Sequence, residues 1–180
     1  KACGDICPKD AISFSVDYEG FWYPAIDMGK CIKCNLCERA CPALNVHRSS
    51  EQAREIPKTY KVYHKDKDIR YNSTSGALYY ALAQGFVENG DYIAGCVYND
   101  GFTGAHHEAS NTMEGLKRIM RSKYFQSDTA GIFKEIKALL VRGEKVLFCG
   151  TGCQVSGLYG FLGKEYENLY TVELMCRGIN

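Results

Sequence analysis

The sequence predicts two fold classes in series: a small α+β segment wrapped round metal clusters, followed by an α/β domain with βαβ units. Three observations carry this. Residues 31 to 42 read Cys31-Ile32-Lys33-Cys34-Asn35-Leu36-Cys37-Glu38-Arg39-Ala40-Cys41-Pro42. Upstream, Cys3-Gly4-Asp5-Ile6-Cys7-Pro8 repeats the end of that pattern. Farther along, a short apolar run at residues 145–149, a helix-like stretch to Leu162 and a second apolar run at residues 169–175 alternate as strand, helix and strand.

The C-x2-C-x2-C-x3-C-P spacing is the one bacterial ferredoxins wrap round cubic iron-sulfur clusters, so residues 1–48 are predicted as a ferredoxin-like two-cluster segment. In that arrangement three closely spaced thiolates take three corners of one cube. The fourth, turned away by the following proline, ligates the other. Crossed ligation assigns Cys31, Cys34, Cys37 and Cys7 to one 4Fe-4S cluster. Cys3 and Cys41 belong to a second, whose two remaining ligands are expected upstream of Lys1. Zinc motifs space their two cysteine pairs a dozen or more residues apart, so four Cys in eleven residues suit a cube better.

Composition narrows the function class. Lys and Arg total 22 against 21 Asp and Glu, a net charge of +1, with 46% hydrophobic residues. Nothing here marks a binder of nucleic acid or of anionic membrane. No apolar run approaches the ~20 residues of a membrane span, and the first residues lack the apolar core of a signal peptide. Ten cysteines would suggest a disulfide scaffold in a small secreted chain, but cluster spacing needs free thiolates, so a reducing, cytoplasmic and low-oxygen setting is expected.

Each element follows in order. Residues 11–16 and 21–26 alternate or run apolar on either side of Asp17-Tyr18-Glu19-Gly20, predicting a hairpin over the clusters, with Phe14, Trp22 and Tyr23 as packing. Polar residues 49–58, ending near Pro57, read as a linker, and an α/β domain is expected over 59–180. Residues 60–64 read as its first strand, and Asn72-Ser73-Thr74-Ser75-Gly76 as a loop opening a helix over 77–87. A strand over 91–98 follows. Asn111 and Glu114 have capping-box spacing, and Asp128 is placed to cap a helix carrying Ile132, Ile136, Leu139 and Leu140 on one face. Cys96 and Cys149 read as small buried hydrophobes, and His106, His107 and Glu108 as surface residues on an extended segment.

In open α/β sheets, ligands sit beyond the carboxyl ends of the strands, where helix amides meet anions. Gly150-Thr151-Gly152-Cys153-Gln154 and Cys176-Arg177-Gly178 both fall there, although Val155 stands where a dinucleotide fingerprint needs its third glycine. The order of these features also carries a resemblance. A two-cluster segment precedes Ser73-Thr74-Ser75-Gly76, Ser122-Lys123-Tyr124-Phe125-Gln126-Ser127, Gly150-Thr151-Gly152-Cys153-Gln154 and Cys176-Arg177-Gly178-Ile179. This order resembles the coenzyme F-420 hydrogenase/dehydrogenase beta-subunit family over essentially the whole chain. Against the family's usual motifs the chain departs at Ala77, Phe125, Gly152, Arg177 and Ile179. The family's C-terminal domain continues beyond Asn180, so truncation at both ends is expected.

The resemblance implies an iron-sulfur flavoprotein oxidoreductase: FAD on the α/β domain, clusters on the ferredoxin segment and a hydride-carrying cofactor substrate such as a reduced 5-deazaflavin. It also implies an electron-transfer partner protein or subunit. Ser73, Ser75 and Gly76 would meet phosphate or ring oxygens, Lys123 would supply positive charge, and Gln126 and Gln154 would bond ring edges. Gly150, Thr151, Gly152 and Cys153 would line the cofactor loop, with Arg177 and Gly178 opposite. Two alternatives stand beside this reading: a stand-alone ferredoxin-type carrier, and a ferredoxin-dependent reductase acting on another substrate.

Overall fold

The structure is a computed structural model describing residues 1–45 and 58–178. The expected linker, apart from Lys58, lies outside the described residues, as does Ile179. The amino-terminal segment holds helix α1 (Ala2–Ile6), strands β1 (Ile12–Val16) and β2 (Trp22–Ile26), and helix α2 (Leu36–Ala40). β1 and β2 pair antiparallel with Ile12 opposite Ile26, the expected hairpin. Phe14 folds back on α1: a Cβ at Gly4 would meet its ring at 2.8 Å, so the aromatic wall lies directly on the backbone beside Cys3. Trp22 covers the Lys1 side chain, whose ammonium stands 3.8 Å from the ring centre and 2.8 Å from Asp128 Oδ2.

The rest is a mixed α/β arrangement. α3 (Lys67–Tyr71) and a short 3-10 turn (Ser75–Ala77) lead into α4 (Leu78–Glu88), β3 (Tyr92–Tyr98), β4 (Ala105–Ser110) and α5 (Met113–Ile119). β5 (Ser127–Asp128), α6 (Ile132–Val141), β6 (Val146–Thr151), α7 (Gly152–Leu162) and β7 (Leu169–Leu174) complete the order. One five-stranded sheet runs β5-β4-β3-β6-β7. β4 is antiparallel to β3, while β6 is parallel to both β3 and β7, and α7 joins β6 to β7.

Alternate side chains send the sheet into two cores, as a strand's period of two demands. Ile93, Val97 and Leu147 pack with Ala83 of α4 and Leu116 and Ile119 of α5 on one face. Ala94, Val146 and Phe148 pack on the other with Ile132, Phe133, Ile136 and Leu140 of α6 and Val155, Leu158 and Phe161 of α7. Ala2 and Ala40 belong to that second core, so the cysteine-bearing helices share the apolar interior of the sheet domain.

Four expectations are corrected. Residues 60–64 form no strand: among the described residues their backbone–backbone hydrogen bond is that of the His64 amide, which donates to the Gly76 carbonyl at 2.7 Å, and no ladder forms. α5 is capped by Thr112, whose Oγ1 accepts the Gly115 amide at 3.1 Å, rather than by Asn111. Asp128 ends β5 and accepts the Ala130 amide, and the start of α6 is met from afar by Asp5, whose Oδ1 accepts the Gly131 amide at 2.8 Å. His107 is buried against Phe148, because it lies opposite Cys96 in the interior of the sheet and faces the α6 layer. Adjacent residues do face opposite ways as expected, which leaves His106 and Glu108 partly exposed.

Candidate metal centre and the loops at the sheet edge

The two cysteine segments are built alike. α1 ends at Cys7 with φ −70° and ψ 114°, its amide bonded to the Gly4 carbonyl, and α2 ends at Cys41 with φ −77° and ψ 116°, its amide bonded to the Glu38 carbonyl. Both residues precede proline, which disfavours further helix and turns the thiol out of the helical path. The structure thus repeats helix, Cys, Pro twice, in two helices that pack on each other. Between Cys31 and Cys37 the chain is bent by two left-handed residues, Lys33 (φ 54°) and Asn35 (φ 56°). Outside glycine that conformation costs about 1 kcal/mol per residue.

All ten cysteines are free thiols. Among the described residues no three His, Cys, Asp or Glu side chains gather closely enough to hold a single metal ion. The donor set, thiols in two Cys groups that each end in Cys-Pro, is of the chemistry that iron-sulfur cubes take. The Ala11 amide donates to Cys7 Sγ at 3.3 Å, the kind of contact that favours thiolate and tunes a cluster's potential. Burial pushes the Cys3 thiol up, and Cys41 adds to the rise.

In the α/β domain, side-chain hydrogen bonds link the loop at Asn72, the segment at residues 121–127 and the loop at Thr151. Arg121 ties two loops together, donating to the Asn72 carbonyl at 2.8 Å and to Asn72 Oδ1 at 3.1 Å. Gln154 ties two more: its Oε1 accepts the Thr151 amide at 2.9 Å and its Nε2 donates to Ser127 Oγ at 2.8 Å. Gln126 is half-buried beside that contact. Gly150 lies beneath Gln154, since a Cβ there would meet Gln154 Cβ at 3.1 Å. Gly152 is the first helical residue of α7 and has no left-handed backbone, a place where proline would also sit at ease, so it is not a hinge in a loop. Cys153, Arg177 and Gly178 are exposed, and Cys153 Sγ lies 3.2 Å from Thr151 Oγ1.

Two of these residues do structural work. Lys123 Nζ donates to the carbonyls of Arg118 at 2.8 Å, Ile119 at 2.7 Å and Arg121 at 3.1 Å, and also to that of Met120, closing the carboxyl end of α5. Burial pushes it down to about 8, partly offset by Cys96, Cys149 and Glu108, and its ammonium protons are taken up by these carbonyls. Gly76 (φ 71°) follows Ser75 (φ 49°) and precedes Ala77 (φ 64°), and a Cβ on it would lie 2.7 Å from the Val62 carbonyl oxygen. Its glycine is required by backbone packing.

Two buried hydroxyls on the same loop and helix have no partner among the described residues: Ser73 Oγ and Tyr79 Oη. Burial pushes the Tyr79 phenol up, so it is a neutral donor. Tyr79 was not singled out by sequence reasoning, because inside the apolar run 77–87 a tyrosine looks like core; its place two residues after Ala77, at the helix start, was the available signal. Burial likewise holds Cys149 up at about 11 and raises Cys96, so both are protonated packing residues.

Residues 1–66 match the family model described as a 4Fe-4S dicluster domain. The amino-terminal segment is an iron-sulfur, electron-transferring type of domain. The match spans both cysteine groups and therefore agrees with the doubled helix, Cys, Pro geometry. No curated protein matches the chain. No helix among the described residues is long and apolar enough to cross a membrane.

Proposed function

We propose that the chain is the electron-transfer part of an iron-sulfur flavoprotein oxidoreductase, in which Cys7, Cys31, Cys34 and Cys37 hold a 4Fe-4S cluster and the α/β domain holds FAD at the sheet edge. The observation that carries the reading is α7. Its amino end carries Gly152, Cys153 and Gln154 at the edge, and its carboxyl half lies on both cysteine helices, where a Cβ at Gly160 would stand 2.7 Å from the Ala40 carbonyl oxygen. Edge loops and cluster helices therefore share one rigid element of 11 residues, about 16 Å long. FAD exchanges a hydride on one side and single electrons on the other, the conversion that a deazaflavin substrate and a cluster need between them. Ser73 and Tyr79 carry buried hydroxyls with no partner among the described residues, and Ser75, Cys153, Arg177 and Gly178 supply the exposed surface. Lys123 and Gln154 act behind them as supports.

A second reading, a ferredoxin-type carrier with a structural α/β domain, is favoured by the same internal satisfaction of Lys123 and Gln154. Anaerobic titration separates the two. Chain reconstituted to about four iron and four sulfide should bind FAD, and Ser73→Ala with Tyr79→Phe should weaken flavin binding while iron stays constant. Iron-loaded chain that takes up no flavin supports the carrier and rejects the flavoprotein.

A further inference from the structure

A hollow of ≈ 540 Å³ opens between the cysteine helices and the end of α7. Its floor is apolar, made by Ile6, Leu36 and Phe161, and its rim carries three cations, Arg39, Lys137 and Lys164. All three are exposed, and none is in an ion pair among the described residues, whose pairs are Lys1 with Asp128, Lys30 with Asp27, Arg118 with Glu108 and Lys134 with Asp10. The sole acid in the lining, Asp5, is buried and turned inward to the Gly131 amide. Glu38 and Glu165, neighbours in sequence, are not part of the lining.

The hollow's position is as informative as its charge. Ile6 immediately precedes Cys7 and Leu36 immediately precedes Cys37, two ligands of the cluster complete within this chain. An apolar floor with a rim of exposed cations, unpaired among the described residues, is the pattern of a transient docking surface: the floor loses water on contact, and the rim steers an oppositely charged partner and sets its orientation. We propose that this hollow docks an acidic electron-carrier protein, one whose redox centre is ringed by carboxylates, directly over the Cys7 and Cys37 side of the cluster. The proposal rests on the cluster reading for its purpose, but the surface itself belongs to Arg39, Lys137 and Lys164.

The test is binding of an oxidised, acidic plant-type ferredoxin to the reconstituted chain by calorimetry, at low and high salt, with iron content measured in parallel. Binding should weaken steeply with salt, and Arg39→Gln, Lys137→Gln and Lys164→Gln together should weaken it about tenfold at low salt and flatten the salt dependence. Lys61→Gln, Lys117→Gln and Lys145→Gln, three exposed cations elsewhere, should change it little. Equal weakening by both triple variants, or an unchanged Kd in the rim variant, overturns the proposal. Saturable binding of inorganic pyrophosphate at the rim without ferredoxin binding would make this a small-anion site and overturns it too. Chain that binds ferredoxin through the rim yet takes up no iron upholds the docking surface and sinks the cluster reading instead.

Discussion

Cys34 is exposed and lies between the left-handed Lys33 and Asn35, whereas Cys96 lies within β3 with its thiol held protonated by burial. One thiol is open to solvent and the other is partly covered by the sheet domain. Cys34→Ser should therefore abolish the visible absorption of the reconstituted chain, and Cys96→Ser should leave it and the iron content unchanged; equal loss from both would mean the ligands are misassigned. Lys123 makes a sharper case, because the resemblance assigns it to a cofactor and the structure assigns it to the end of α5. Lys123→Met removes charge-assisted bonds worth roughly 1.5 to 3 kcal/mol and should lower the midpoint of thermal unfolding by that equivalent. Flavin affinity should hold if capping is its whole role, and a fall in affinity with unchanged stability would restore the direct contact.

At the scale of elements, α7 decides most. Its face of small residues, Gly157 and Gly160, lets it lie against Ala2 of α1 and the Ala40 carbonyl of α2. A Cβ at Gly157 would meet Ala2 at 3.6 Å, an ordinary contact, so Gly157→Ala should be tolerated. At Gly160 the obstacle is backbone at 2.7 Å, which cannot swing aside. Gly160→Val should cost about 1 to 3 kcal/mol by overpacking and loosen the cluster helices, seen as faster iron loss to a chelator; iron retention equal to that of Gly157→Ala would show that the two segments are not held through this contact. The hairpin and the helix and strand over residues 132–151 were legible in sequence because their apolar periods are strong and local. The strand expected at 60–64 was not, since alternation alone supplies no partner, and the chain there is pinned to Gly76 instead.

At the scale of the whole molecule, the buried histidine of β4 couples stability to pH. His107 is 7% exposed, its two ring nitrogens have no partner among the described residues, and burial pushes it down from 6.5 to about 4. Its folded affinity for protons is lower than its unfolded affinity, so acid favours unfolding. The loss begins as pH falls through about 6.5 and is complete near 4, where it amounts to about 3 kcal/mol. Denaturant unfolding of wild type and His107→Leu across that range should diverge, with the variant losing less stability on acidification; parallel curves would place the histidine's neutral state in doubt. Above pH 7 the two curves should run parallel.

Cysteine spacing determined the cluster segment without any fold, because ligand geometry is local: three thiols within seven residues and a proline that turns the fourth away meet the cube's demands through backbone alone. The alternation of apolar runs likewise determined that a sheet with covering helices follows. Only tertiary structure decided that Asp5, between Cys3 and Cys7, meets the start of α6, that Lys123 and Gln154 are held by hydrogen bonds within the domain, and that Tyr79 and His107 carry buried polar atoms without partners among the described residues. Each of these depends on which distant backbone group lies within about 3 Å of a side chain, a distance set by the packing of α5, α6 and α7 on the sheet and invisible to residue type or spacing.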